Sequence, residues 1–152
     1  MAYTVRYVKD GDFEAIRGLI AEFKEESLDE YDMPFELDTF EKVFEAQKAT
    51  SVVMETPEEG VIGVLAGFIT HSFISMRGVY QEIMWYVSKK HRKNGIKMLK
   101  YIEQRCREVG VKQIIMGHMG NSNLEVFKRF YTRNGYKLLE TQYIRNLEAN
   151  DE

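Results

Sequence analysis

The chain has 152 residues, 44% hydrophobic, 30% charged and 12% aromatic, with a net charge of −3. That size suits one domain over residues 1–152 around one core, and the composition excludes a disordered or fibrous chain. No apolar run approaches the roughly 20 residues of a membrane helix, MAYTVRYVKD lacks the apolar stretch of a secretory signal, and the lone Cys106 has no internal disulfide partner, so a reducing, cytoplasmic location is expected.

Alternation in Tyr3-Thr4-Val5-Arg6-Tyr7-Val8 predicts an opening strand. A helix follows, capped by Asp10 or Asp12, with Phe13, Ile16, Leu19, Ile20 and Phe23 at helical spacing. An acidic connection to Leu37 contains Tyr31, Met33, Pro34 and Phe35. A second helix is expected from Asp38, with Glu41 completing a capping box and Phe40, Val43 and Phe44 as its apolar stripe. Ser51 to Thr56 and Val61 to Thr70 read as strands joined by a hairpin turn at Pro57-Glu58-Glu59-Gly60. After an irregular crossing from His71 to Arg77, Val79 to Val87 reads as the central strand. Strict alternation there puts Glu82, Met84 and Tyr86 on one face and Ile83, Trp85 and Val87 on the other.

That strand runs into the basic turn His91-Arg92-Lys93-Asn94-Gly95-Ile96-Lys97, which opens directly into an amphipathic helix. First-turn amides have no intrahelical partner and the helix dipole favours negative charge, so strand, turn and helix form an anion site whose added Lys and Arg suggest a phosphate-bearing ligand. The helix turns Ile96, Leu99, Ile102, Cys106 and Val109 inward and ends at Gly110. Val111 to Met116 is another strand. Ser122 with Glu125 predicts a capping box for a last helix that carries Val126, Phe127, Phe130 and Tyr131 and ends at Gly135. Tyr136 to Leu139 and Tyr143 to Leu147 are expected to close the chain as strands. The fold class is thus α/β (α+β), a mixed, mostly antiparallel twisted sheet of about seven strands with four helices. The middle strand–helix–strand unit is locally parallel.

Charge is unevenly spread. Ten acids and two bases lie between Glu22 and Glu45, and nine bases and two acids between Ser88 and Lys112. Two solvated faces of opposite sign would explain this. So would an anionic ligand at the basic end and a cationic one at the acidic end.

The element order, with Arg92-Lys93-Asn94-Gly95-Ile96-Lys97 after the fourth strand and Phe130-Tyr131-Thr132-Arg133-Asn134-Gly135-Tyr136 near the end, resembles the GNAT superfamily of N-acetyltransferases from Tyr3 to Leu147. In that family the first segment, Arg/Gln-x-x-Gly-x-Gly/Ala, cradles the pyrophosphate of acetyl-CoA. The last position, small in the family, is Lys97 here, which must swing aside or add a charge-assisted contact. The resemblance implies transfer of an acetyl group from acetyl-CoA, as co-substrate and without a metal, to a primary amine by direct attack. It implies Glu82 as general base, unless a water chain serves, and Tyr131 as general acid. It places the pyrophosphate on the backbone of Arg92, Lys93, Asn94, Gly95, Ile96 and Lys97, and the pantetheine arm against Trp85, Val87 and Asn121 or Asn123. Ser122, Phe130 and Tyr136 read as capping and core. Cys106 reads as packing, and His71, His91 and His118 lack metal-ligand spacing. The acidic stretch points to a cationic acceptor. The other readings are a catalytically idle domain that binds ligand or forms a homodimer, and a nucleic-acid-binding module built on residues 89–112. The negative net charge speaks against the last, and no membrane partner is expected.

Overall fold

A computed structural model describes residues 2–33 and 36–147. The expectations for Pro34 and Phe35 lie outside these. Five strands form one sheet in chain order, β1 (Thr4–Tyr7), β2 (Val52–Thr56), β3 (Gly60–His71), β4 (Gly78–Val87) and β5 (Gln113–Ile115). The first four pair antiparallel, while β4 and β5 pair parallel across the helix between them. The helices are α1 (Phe13–Phe23), α2 (Leu37–Gln47), α3 (Ile96–Val109) and α4 (Leu124–Arg133).

Alternation along the strands divides the core into two layers. Val53, Val64, Ala66, Met84 and Tyr86 meet Ile16, Leu19, Ile20 and Phe44 of α1 and α2. Val52, Met54, Leu65, Tyr80 and Val87 meet Met98, Ile102 and Cys106 of α3. Val109 is 68% exposed, contrary to the expected inward stripe, and Met98 is buried in its stead. The reason is the end of α3. Gly110 adopts φ 79°, and its N–H and that of Val111 bond back to the carbonyls of Arg107 and Cys106. This reversal turns Val111, not Val109, onto the core.

Asp12 stands at the N-cap position of α1, but the side chains expected to cap the helices are engaged elsewhere. The Asp12 carboxylate accepts two bonds from Arg6, at 2.8 and 2.9 Å, and one from the Lys9 N–H. Asp38 lies inside α2 and Glu41 pairs with Arg17, so no capping box forms there. At α4 the cap is Asn123, which accepts from the Val126 N–H at 3.3 Å. Ser122 instead donates to the Met119 carbonyl. The connection after α1 is wound, a π turn at Lys24–Leu28 and a 3-10 turn at Asp29–Tyr31.

The two closing strands are not formed, so the sheet has five strands and not about seven. β5 offers an edge of only three residues. The segment after α4 is held by side chains instead: Tyr136 donates to Glu103 on α3 at 3.0 Å, and Asn146 donates to the Asp32 carbonyl at 3.2 Å. Leu138, Tyr143 and Leu147 are largely exposed. β-propensity without a partner edge does not make a strand.

One glycine fixes the layer under α3. A Cβ at Gly67 would overlap the ring of Tyr80, which is 2% exposed and donates to the Thr50 carbonyl at 2.7 Å. Gly67→Ala is therefore expected to cost about 1–3 kcal/mol, as overpacking does. Urea unfolding measures this, and an unchanged midpoint would contradict it.

Candidate active site

The cleft arises where β4 parts from β5. The two pair only over Val79–Gln81 and Gln113–Ile115, while β4 continues to Val87. At the parting point the β3–β4 register slips: Ala66 faces Met84 and Gly67 faces Glu82, so Ile83 is an extra residue, a β-bulge. The bulge breaks the expected alternation. Tyr80 packs on the α3 layer, whereas Met84 and Tyr86 pack on the α1 layer. Ile83 joins Met84 in lining a cavity under α1 and α2 and does not share a face with Trp85 and Val87.

Glu82, just before the bulge, meets Gly117 across the gap. Its Oε2 lies 3.7 Å from where a Gly117 Cβ would stand. The Tyr131 hydroxyl of α4 donates to the Gly117 carbonyl at 3.0 Å. The structure thus brings the two sequence-predicted catalytic side chains to one residue. Burial pushes the Glu82 carboxyl up to about 8, with the Gly117 backbone amide pulling slightly the other way. Burial, and then the Glu82 charge, push the Tyr131 phenol above its ordinary value.

The basic turn is wound more tightly than expected. Lys89–Asn94 is a 3-10 turn, in which the Gly95 N–H bonds the Arg92 carbonyl at 3.0 Å, and the amides of Ile96 and Lys97 head the first turn of α3. A Cβ at Gly95 would stand 3.2 Å from the Arg92 carbonyl oxygen and 3.4 Å from Val87, so glycine lets the turn seat on the end of β4. His91 is buried, bonded to the Tyr3 hydroxyl at 3.0 Å and to Glu59, which pins the turn from behind. The Lys97 and Lys93 side chains are both exposed.

Arg92 does not reach outward. Its Nε–H donates to the Val87 carbonyl at 3.0 Å and its guanidinium bonds Glu26 at 2.7 Å, stacked 5.3 Å over the Tyr86 ring. The Tyr86 hydroxyl donates to the same Glu26 at 2.8 Å. The Arg92 bond, followed by that of Tyr86, holds the Glu26 carboxyl below its ordinary range. Across the cleft, Asn121 donates to the Ser27 carbonyl at 3.0 Å and to Glu30 at 2.7 Å. The acidic stretch is therefore a strap tied to both walls. Sequence reasoning placed Glu26 on the acceptor side, within the acidic stretch, and not against Arg92; it missed Tyr86 and Gly117 as neighbours of the site.

The remaining assignments divide. Asn121 is committed to the strap and Asn123 caps α4 through its Oδ1, which leaves the Asn123 Nδ2 as the amide donor on that wall. Trp85 packs at 5.9 Å on Phe130, and its indole Nε1 is buried with no partner among the described residues. An orphaned donor beside the glycine seat fits a long polar ligand lying along β4. Cys106 is buried and its thiol is pushed up to about 11 by that burial, so it stays a packed thiol at neutral pH. Lys90, Arg92, Lys100 and Arg105 of the basic segment are each paired with a glutamate. Among the described residues no group of three or more His, Cys, Asp or Glu could hold a metal, and no helix is long and apolar enough to cross a membrane.

The model of the acetyltransferase (GNAT) family matches residues 14–136, and the chain belongs to that family. Among solved structures, an acetyltransferase from Trypanosoma brucei is 16% identical, with TM-score 0.71, over 96% of this chain and 100% of that one. A glucosamine-6-phosphate N-acetyltransferase from Arabidopsis thaliana is 16% identical, TM-score 0.68, over 97% and 99%. A ribosomal-protein-alanine N-acetyltransferase from Brucella melitensis is 13% identical, TM-score 0.70, over 96% and 99%. At these identities the likeness shows the fold. No curated protein matches.

The Glu82 shift has a consequence for stability. Its folded value, about 8, exceeds the ordinary 4.5, so the fold favours the neutral acid. That contribution is complete below the ordinary value and is lost as pH rises through about 8. Glu82→Gln stays neutral throughout. Its melting temperature relative to the unaltered protein should therefore rise between pH 5 and pH 9, and a difference constant across that range would sink the assignment.

Proposed function

We propose that this member of the GNAT family is a single-domain, cytoplasmic N-acetyltransferase that moves an acetyl group from acetyl-CoA to a cationic primary amine. The observation that carries this reading is the convergence of Glu82 and Tyr131 on Gly117, where β4 leaves β5. Acetyl-CoA supplies the activated thioester. The amides of Ile96 and Lys97 receive its pyrophosphate, with the turn from Arg92 to Gly95 shaping the seat and Lys93 and Lys97 adding charge. Trp85, the β5-facing backbone of Val87 and the Asn123 Nδ2 line the course of the arm.

Glu82 accepts a proton from the ammonium, and a carboxyl held near neutrality is suited to that exchange. The freed amine attacks the thioester carbon. A new C–N bond forms as the C–S bond breaks, and β4 backbone N–H groups beyond Gln81 stabilise the oxyanion. Tyr131 gives its proton to the leaving thiolate and recovers one from the acylated nitrogen, which sheds its second N–H proton as it becomes the amide. The raised pKa of the phenol keeps its proton in place until the thiolate forms.

The reading is tested in two steps. Calorimetry should show coenzyme A binding, and none at millimolar ligand would overturn it. With chemistry limiting the rate, Tyr131→Phe should lower turnover by roughly 10²–10⁴, the range of a lost general acid, with binding little changed. Activity should rise with pH through about 8 as Glu82 ionises, and Glu82→Gln should flatten that limb as well as slow the reaction. Near-normal turnover in Tyr131→Phe, or an unchanged pH limb in Glu82→Gln, would remove the corresponding role.

A further inference from the structure

Two positions that the family resemblance gives to the cofactor, Arg92 and Asn121, have their side chains engaged on the acidic strap. The Arg92 Nε–H donates to the Val87 carbonyl at 3.0 Å, and its Nη2 donates to Glu26 Oε2 at 2.7 Å. The same Oε2 accepts from the Tyr86 hydroxyl at 2.8 Å, and the guanidinium stacks 5.3 Å over the Tyr86 ring. Turning it toward an anion at the Ile96 and Lys97 amides would break the bond to Glu26 and the stack together. On the other side, Asn121 donates to the Ser27 carbonyl at 3.0 Å and to Glu30 at 2.7 Å. Beside it, the Tyr31 hydroxyl lies 3.5 Å from where a Gly120 Cβ would stand, and the Asp32 carbonyl accepts from Asn146 at 3.2 Å.

These anchors stand on opposite sides of the gap. β4 pairs with β5 only as far as Gln81, and Glu26 is held at the far end of β4, while Ser27 and Glu30 are held by the loop that follows β5. The strap therefore crosses the opening between the two strands. It carries Glu25, Glu26, Asp29, Glu30 and Asp32, and Lys24 already pairs with Asp29. Such a strap repels a pyrophosphate and attracts a cation, so it belongs to the acceptor's side of the cleft. We propose that Arg92 and Asn121 are positioning residues for that side: their side chains hold the strap across the cleft, and it stays there when the cofactor binds, because the Arg92 guanidinium takes no phosphate. The inference rests on the acetyltransfer reading above and reassigns two side chains within it. The pyrophosphate is left to the turn's amides and to Lys93 and Lys97.

The experiment follows amide hydrogen exchange of residues 24–33 by mass spectrometry, with coenzyme A affinity measured by calorimetry. In the unaltered protein, saturating coenzyme A should leave exchange of this segment unchanged or slower. Faster exchange would mean that the phosphate has drawn Arg92 off Glu26, and would overturn the proposal. Arg92→Gln should speed exchange by roughly fivefold, the factor for one net hydrogen bond. Glu26→Ala should do at least as much, and the double variant no more than Glu26→Ala, because Arg92 acts on the strap through Glu26. Asn121→Ala should add its own factor to any of these, since it frees the other side. Arg92→Lys keeps the charge without the fork that serves Val87 and Glu26 together, so its strap should exchange as fast as that of Arg92→Gln. Arg92→Gln should change coenzyme A affinity no more than Glu26→Ala does. Unaltered strap exchange in Arg92→Gln would overturn the assignment. So would a loss of coenzyme A affinity about tenfold beyond that of Glu26→Ala and restored by Arg92→Lys, the signature of a charge on phosphate. Absence of coenzyme A binding to the unaltered protein would overturn the acetyltransfer reading itself, and exchange in the variants would still decide whether Arg92 and Asn121 hold the strap.

Discussion

One extra residue in β4 organises this molecule. Ile83 has no counterpart on β3, and that slip falls where the β4–β5 ladder ends. A bulge bends its strand and increases local twist, so parting of two parallel neighbours is its mechanical result. The slip leaves the edge of β4 beyond Gln81 unpaired with β5, sets Glu82 opposite Gly117, and brings Ile83 and Met84 together on the α1–α2 face. Without the slip, Glu82 would share a face with Met84 and Tyr86, among the side chains packed under α1. The place of Glu82 at the gap and the pairing of Ile83 with Met84 under α1 and α2 therefore have one cause.

The opposed charge blocks are joined to each other. Glu26 binds Arg92 and Tyr86 on one wall, while Ser27 and Glu30 hold Asn121 on the other. These bonds cross from residue 26 to 92 and from 30 to 121, so they tie segments that the sheet alone leaves apart. Exposed ion pairs contribute little individually. Here the guanidinium also stacks on Tyr86 and takes the Val87 carbonyl, so its orientation is fixed by three partners. The consequence is positional: the basic turn and the acidic strap are held to a common frame at the end of β4.

Much of this was legible in the sequence. Every helix and the first five strands lie close to where their patterns put them, because burial on one face writes a period of 3.6 or 2 into the residues. The basic turn and Gly95 were legible as residue types at a spacing, while Glu82 and Tyr131 were singled out through the family resemblance. What escaped depends on partners far along the chain. Asp12 looks like a cap until Arg6 claims it, and Glu41 until Arg17 does. Val109 continues a helical stripe until the reversal at Gly110 substitutes Val111. Tyr136 to Leu147 has strand composition but finds a side-chain anchor on α3 and too short an edge on β5. The bulge is invisible to alternation, since Ile83 and Met84 are both apolar and either phase reads as a strand.

The raised carboxyl and the raised phenol belong to the same argument. Glu82 is pushed up to about 8 chiefly by removal from water, and burial, followed by the Glu82 charge, raises the Tyr131 phenol. The two meet at Gly117, whose carbonyl takes the Tyr131 hydroxyl and whose amide draws the Glu82 carboxyl back toward its ordinary range. Water admitted at that point would lower both, so a change that opens it should move the two groups together.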